Sequence, residues 1–216
     1  MNPTIKAVLF DLDGTILDTE KFYRKNWPIA AKQFGYAMTD EQALAIRSLG
    51  RPFVVERFRE WFGEDCDYWA IRKYRSELVK KDMEEEGIHP KKGARELLEY
   101  LQKKGILRAV ATATDVPRAT KFLDGVGLLP YFDRICSAAD APQGKPDPYV
   151  YLEACRQLGL PPEECLAVED APNGIRSAAA AGCRVIFVPD QTGEEPEVAD
   201  LIYAKVSDLT GIMELL

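Results

Sequence analysis

One strand-like run, then a long stretch without strands, then a regular alternation of strands and helices: this order most constrains what the 216-residue chain can fold into. The run Ile5-Lys6-Ala7-Val8-Leu9-Phe10 stops at Asp11-Leu12-Asp13-Gly14-Thr15, as a buried strand ending in a turn would. From about Asp18 to Glu86 the spacing is helical, with Trp27, Ala30, Ala31 and Phe34 on one face and Val54, Val55, Phe58 and Phe62 on another. Ile88-His89-Pro90 reads as extended, because the residue before a proline avoids the helical region, and it marks a crossing back.

From Lys91 onward strands and helices alternate. Ala94, Leu97, Leu98 and Leu101 form an apolar stripe that Gly105 ends, Ile106 to Ala111 is the next strand, and Pro117 opens a helix. Ile135-Cys136-Ser137 is a short strand, and Asp147-Pro148 caps a helix that Gly159 ends. Cys165 to Val168 and Arg184 to Val188 flank an Ala-rich helix ended by Gly182, and Ala199 to Tyr203 supplies an edge strand. Such alternation signals a parallel sheet covered on both faces. The expected fold is therefore α/β, a doubly wound parallel sheet (residues 1–16 and 90–216) with an inserted all-helical cap (17–89). The two connections, near Ile16 to Thr19 and Gly87 to Lys91, would act as a hinge pair for a lid.

A hydrophobic content of 46% supports a core without staples, and a net charge of -7 argues against a non-specific nucleic-acid binder. An anionic substrate stays possible, since a divalent cation and a few local bases can reverse the field inside a cleft. Cys66, Cys136, Cys155, Cys165 and Cys183 are odd in number with no Cys-x-x-Cys spacing, which reads as buried reduced thiols. With no signal-peptide pattern and no stretch near ~18 apolar residues, a cytoplasmic protein is expected, without membrane partners. Acidic charge leaves the oligomeric state, a monomer included, undecided.

The chemistry-bearing residues fall at the ends of the expected strands, where open α/β sheets bind ligands. Asp11 and Asp13 lie two apart, so both carboxylates can face one pocket, a pair suited to phosphoryl transfer with Asp11 as nucleophile and Asp13 as proton donor. Glu169-Asp170 adds carboxylate oxygen at the same edge, a donor set that suits Mg²⁺. Lys145, between Gly144 and Pro146, would neutralise phosphate charge, and Thr112 followed by Ala113 and Thr114 would cradle phosphate oxygens. Each has a plainer reading alone: a loop turn for Asp11–Gly14, a helix cap for Asp170, a surface lysine, a strand-forming threonine. Together they supply nucleophile, acid/base, anion cradle, counter-charge and metal. His89, the only histidine, lies in the hinge segment, so no Ser-His-Asp arrangement is available.

In this order Asp11-Leu12-Asp13-Gly14-Thr15, Thr112, Lys145 and Glu169-Asp170 resemble the haloacid dehalogenase superfamily over essentially the whole chain. The resemblance implies a Rossmann-like core, a helical cap after the first strand, Mg²⁺ and an aspartyl-phosphate. It makes Asp11 nucleophile and metal ligand, and Asp13 acid/base with its backbone carbonyl on the metal. Thr112 and Lys145 would hold the phosphoryl group, Asp170 would ligate Mg²⁺, and Glu169 would bind it directly or through water. The second aspartate favours phosphate over carbon–halogen chemistry. Val168 to Ile175 and the cap look most like the β-phosphoglucomutase-like phosphatases. Where the mutase resembles a protein with a cap histidine and a Lys-Gly pair, this chain has Tyr23 and Leu49-Gly50, which weighs against mutase activity. The leading expectation is a Mg²⁺-dependent phosphatase of a small phosphorylated metabolite such as a sugar phosphate. The alternatives are a phosphoglucomutase-type transferase and a binding protein on an inactive scaffold, the latter opposed by the intact carboxylate set. Arg47 and Arg51, either side of Gly50, are candidates for the substrate's distal end, and otherwise residues of a solvated face.

Overall fold

The computed structural model describes residues 4–216; the start of the expected core segment, residues 1–3, lies outside the described residues. Strand β1 (Ala7–Phe10) leads into four helices, α1 (Glu20–Gln33), α2 (Asp40–Ala45), α3 (Phe53–Phe62) and α4 (Tyr68–Glu86). Helix α5 (Ala94–Lys104) opens the alternation, followed by β2 (Leu107–Thr112), α6 (Val116–Gly125), β3 (Arg134–Ser137), α7 (Tyr149–Leu158), β4 (Cys165–Glu169), α8 (Pro172–Ala180), β5 (Arg184–Phe187) and β6 (Ile202–Lys205). The six strands form one parallel sheet in the order β3-β2-β1-β4-β5-β6, so strand order reverses beside β1 and opens a crevice at the strand ends there.

Alternation along each strand divides the core between the sheet's two faces. Ala7, Leu9, Ala167 and Val185 pack with Val150, Tyr151 and Ile175 of α7 and α8. Val8, Phe10, Val110 and Val168 pack with Leu97, Leu98, Leu101 and Leu123 of α5 and α6. Because both faces are covered, the central strands read as continuous apolar runs. A third cluster, built on Trp27, Phe58, Tyr68 and Ile71, belongs to the cap helices. Trp27, Ala30 and Ala31 are buried as their spacing predicts, whereas Phe34 closes α1 and is exposed.

Local departures have local causes. The expected edge strand at Ala199 to Tyr203 falls at Ile202–Lys205 instead, because Pro196 starts a 3₁₀ turn that runs to Leu201. Asp147 sits one residue before the capping position of α7, which Pro148 occupies, and its side chain accepts from Tyr149 N–H at 2.9 Å. Gly105 ends α5 at φ 69°, a left-handed conformation that residues with a Cβ rarely adopt. All five cysteines are free and buried. Among the described residues no helix is long and apolar enough to cross a membrane.

Candidate active site

Register brings the functional side chains to one level. Phe10 pairs with Val110 and Val168, so Asp11, the residue just past β1, stands level with the ends of β2 and β4 and donates its own N–H to the Val168 carbonyl at 3.0 Å. Lys145, on the loop between β3 and α7, is fully buried, unlike a surface lysine, and its Nζ donates to Asp11 Oδ1 and to Glu169 Oε1, both at 2.6 Å. Tyr151, one turn into α7, donates to the same Glu169 oxygen at 2.5 Å. Thr15 Oγ1 donates to Asp170 Oδ1 at 3.0 Å, and helix α8 takes no cap bond from Asp170, its capping position being Ala171. Asp13 accepts from the hydroxyls of Thr19 and Thr114 at 2.6 and 2.7 Å, which fixes its carboxylate at the mouth of the pocket. Thr112 is buried at the end of β2, where its Oγ1 accepts from Thr114 N–H at 3.0 Å and shapes a turn whose next residue, Ala113, is exposed to the pocket.

One ammonium faces three buried carboxylates. Burial pushes the Asp11 carboxyl up to about 7, Lys145 opposes this, and the Glu169 charge adds to it. Burial likewise raises Asp170 well above the usual carboxylate range, with Asp11 and Glu169 adding to the effect. For Lys145 burial alone would lower the pKa, but Asp11 and Glu169 reverse this and hold it above the ordinary lysine value. With all four groups ionised the cluster lacks two positive charges, the charge of a divalent cation.

The donor set fits that ion. Carboxylate oxygens of Asp11, Glu169 and Asp170 lie within 4.8 Å of one another, and Glu169 Oε2 and Asp170 Oδ2 are buried with no hydrogen-bond partner. Two glycines leave the carboxylates room: a Cβ at Gly14, itself at φ 88°, would lie 2.6 Å from Asp170 Oδ2, and one at Gly174 would lie 2.1 Å from the Glu169 carboxyl. Hard oxygen donors of this kind suit Mg²⁺. The Asp13 carboxylate, held by its two threonines, is not part of the cluster.

The cap closes over these groups. Gly50 N–H donates to the Lys145 carbonyl at 2.7 Å and Gly144 N–H to the Arg51 carbonyl at 2.8 Å, so the cap loop is pinned to the loop that carries Lys145. A Cβ at Gly50 would come within 2.4 Å of Gly144 Cα, an approach only glycine permits. Arg51 is exposed, donates to the Ala139 carbonyl and lines the cavity. Arg47 is placed differently: it is only 3% exposed rather than on a solvated face, and pairs with Glu195 at 2.7 Å and Thr192 at 3.3 Å, across the seam to the core. Asn173 of α8 donates to the Arg47 carbonyl at 2.9 Å on the same seam. His89 is exposed; its ring bonds to the Glu86 carbonyl, and its own carbonyl accepts from the Asp18 N–H of the other connection. The cavity between cap and core measures about 160 Å³. That is below the ~300–1,000 Å³ of drug-sized sites and leaves room only for a small ligand.

The family model for haloacid dehalogenase-like hydrolases matches residues 5–182. The chain belongs to this family. It is 36% identical over 207 residues to hexitol phosphatase A of Escherichia coli, covering 95% of this chain and 93% of that one. It is 29% identical over 220 residues to the β-phosphoglucomutase of Bacillus subtilis, covering 98% and 94%. Among solved structures, CbbY from Rhodobacter sphaeroides in complex with phosphate superposes with a TM-score of 0.79 at 26% identity, covering 97% and 96%. This haloacid dehalogenase-like hydrolase is an enzyme of the phosphatase class.

Several groups in and behind the hydrolase's cavity escape a reading of its sequence. Tyr151 shows no motif around it. Thr19 and Thr114 follow the signature residues without announcing that they hold Asp13. Glu20 is buried on the cavity wall, its carboxyl raised by burial and then by Asp170 and Asp13. Arg75 did leave a signal: it interrupts the buried stripe Tyr68, Ile71, Val79, Met83 of α4 with a charge.

Proposed function

We propose that this hydrolase is a Mg²⁺-dependent phosphatase of a small phosphorylated sugar or sugar derivative, working in the cytoplasm through an aspartyl-phosphate on Asp11. The observation that carries the reading is the buried Asp11–Lys145–Glu169 network at the strand ends with Asp13 beside it in one small cavity. The Asp11 carboxylate attacks phosphorus while Asp13 gives its proton to the departing alcohol oxygen; the P–O bond to the alcohol breaks as the bond to Asp11 forms. Water then attacks the phosphorus, Asp11 leaves as carboxylate, and Asp13 takes the proton back. Lys145 holds the nucleophile and balances phosphoryl charge, and Thr112 with the N–H of Ala113, in the turn that the Thr114 N–H closes onto Thr112 Oγ1, receives the phosphoryl oxygens. Mg²⁺, when held by Asp11, Glu169, Asp170 and the Asp13 carbonyl, supplies further positive charge there. Residues 17–89 act as the lid on a core of 1–16 and 90–216, with the Gly50–Gly144 contact closing it against water. The hexitol phosphatase relative supports sugar-derived substrates. Tyr23 and Leu49 at the cap positions favour hydrolysis over the mutase reaction.

Phosphate release from a panel of sugar and polyol phosphates tests this. We expect turnover with Mg²⁺, none with EDTA, and a loss of about 10³-fold or more in Asp11→Asn. Conversion of β-glucose 1-phosphate to glucose 6-phosphate that needs a bisphosphate primer and releases little phosphate would move the assignment to a mutase.

A further inference from the structure

We propose that Arg75 selects substrates carrying a second anionic group, a carboxylate or a phosphate, at the end remote from the scissile phosphate; this rests on the phosphatase reading above. Arg75 occupies a core position of α4 and is 8% exposed, yet it lines the cavity that also holds Asp11 and Asp13. Its guanidinium lies 4.4 Å from the Trp27 ring centroid and 4.9 Å from that of Tyr23, so two aromatic rings fix its place. Nε is buried without a hydrogen-bond partner, and among the described residues no carboxylate forms an ion pair with Arg75. The Tyr23 and Tyr68 side chains favour its charged form, and the like charges of Arg72 and Arg118 repel it. Of these three arginines, among the described residues only Arg118 pairs with a carboxylate, Asp115 at 3.3 Å.

An arginine does not shed its proton at working pH, so a buried, unpaired guanidinium among like charges is stable only with compensation, which the rings supply in part. A neutral hydroxyl would leave the charge unbalanced, whereas a carboxylate or phosphate would cancel it and accept from its planar donors. The core end of the cavity is acidic and takes the cation with the scissile phosphate. The cap end is basic and takes the second anion, and the small volume keeps the two close.

Binding is measured by calorimetry in the Asp11→Asn chain, which cannot form the phospho-enzyme, with three ligands: gluconate 6-phosphate, fructose 1,6-bisphosphate and the neutral-tailed sorbitol 6-phosphate. At least one anionic-tailed ligand should bind about 10–100-fold more tightly than sorbitol 6-phosphate, the worth of a charge-assisted contact. Tightening by gluconate alone identifies a carboxylate site, by the bisphosphate alone a phosphate site. Adding Arg75→Met should bring the three ligands to near parity, and Arg75→Lys should restore part of the preference. Equal binding of all three to the Asp11→Asn chain overturns the proposal, as does an Arg75→Met change that weakens them all by one factor. Should Arg75→Met fail to fold, the ranking in Asp11→Asn and in the Lys variant decides. Hydrolysis of p-nitrophenyl phosphate by the unaltered chain reports separately on the phosphatase reading, so its absence sinks that reading while the binding ranking still judges Arg75.

Discussion

The two walls of the cavity hold their charges in opposite ways. On the core wall every ionised group is tied to another protein group: Lys145 joins Asp11 to Glu169, Thr15 holds Asp170, and Thr19 and Thr114 hold Asp13. On the cap wall Arg75 leans on aromatic rings and forms no ion pair among the described residues. Groups locked by the protein are oriented before substrate arrives, the arrangement that stabilises a transition state for any phosphate ester. Groups left unpaired gain most from the ligand that completes them, so they discriminate among esters. Reaction and choice of substrate are thus assigned to different walls.

Replacing Lys145 should break the core wall most severely. Lys145→Met leaves Asp11 and Glu169 buried together without their shared cation. A loss of about 3–5 kcal/mol in unfolding free energy is expected, with turnover down about 10²–10³-fold. Thermal melts and phosphate release read both, and excess Mg²⁺ should recover part of the melting loss by supplying the missing charge. An unchanged melting temperature in EDTA would show that the lysine does not compensate those carboxylates.

A smaller effect isolates the seam between the walls. Gly50→Ala drives a Cβ to 2.4 Å from Gly144 Cα, so the cap loop must lift from the loop that carries Lys145. Displacement by about 1 Å can cost about 10²-fold in rate, and a loss of that order in kcat/KM is expected while the melting temperature falls little. The Arg47–Glu195 pair keeps the cap attached, so closure is loosened rather than lost. Full activity in Gly50→Ala would mean that the contact is incidental to closure.

What was legible in the chain follows the same division. Strand-ending motifs fix position: Asp11 and Glu169-Asp170 stand at the ends of β1 and β4, which parallel register brings to one level, and Lys145 reaches them from the loop between β3 and α7. The cap wall is written in helical spacing, where one residue type serves unlike ends. Arg47 and Arg51 look equivalent either side of Gly50, yet one is buried against Glu195 and the other is exposed at the cavity. Which arginine turns inward depends on how α2, α3 and α4 pack, and tertiary packing of this kind leaves no short motif. The shift of the last strand from Ala199 to Ile202 has a similar origin, since Pro196 starts a turn that the apolar pattern does not register. Arg75 is the exception, because a charge at a stripe position stands out in the helical spacing itself.

The mildest test uses pH to ask whether the core wall alone is short of positive charge. Asp11 titrates near 7 in the folded chain against 3.8 for the free side chain, and Asp170 and the neighbouring Glu20 are also raised, so the folded metal-free protein binds more protons than the unfolded one between about 4 and 7. Their stabilising contribution is full below about pH 4 and is lost as the pH rises through about 7. Asp208 and Glu153, lowered to about 2, act in the opposite sense, but their contribution is lost only below about pH 4 and stays flat above pH 5. In EDTA the melting temperature should therefore fall between about pH 5 and pH 8, by the equivalent of about 1–2 kcal/mol or a few degrees. Bound Mg²⁺ stabilises the ionised carboxylates, so the slope should flatten with excess metal, and Asp11→Asn should remove part of it in EDTA. Arg75→Met should leave the slope as it is, because an arginine does not titrate in this range. A slope equally steep with and without Mg²⁺ would place its source away from the carboxylate cluster, and the assignment of the uncompensated negative charge to the core wall would fail.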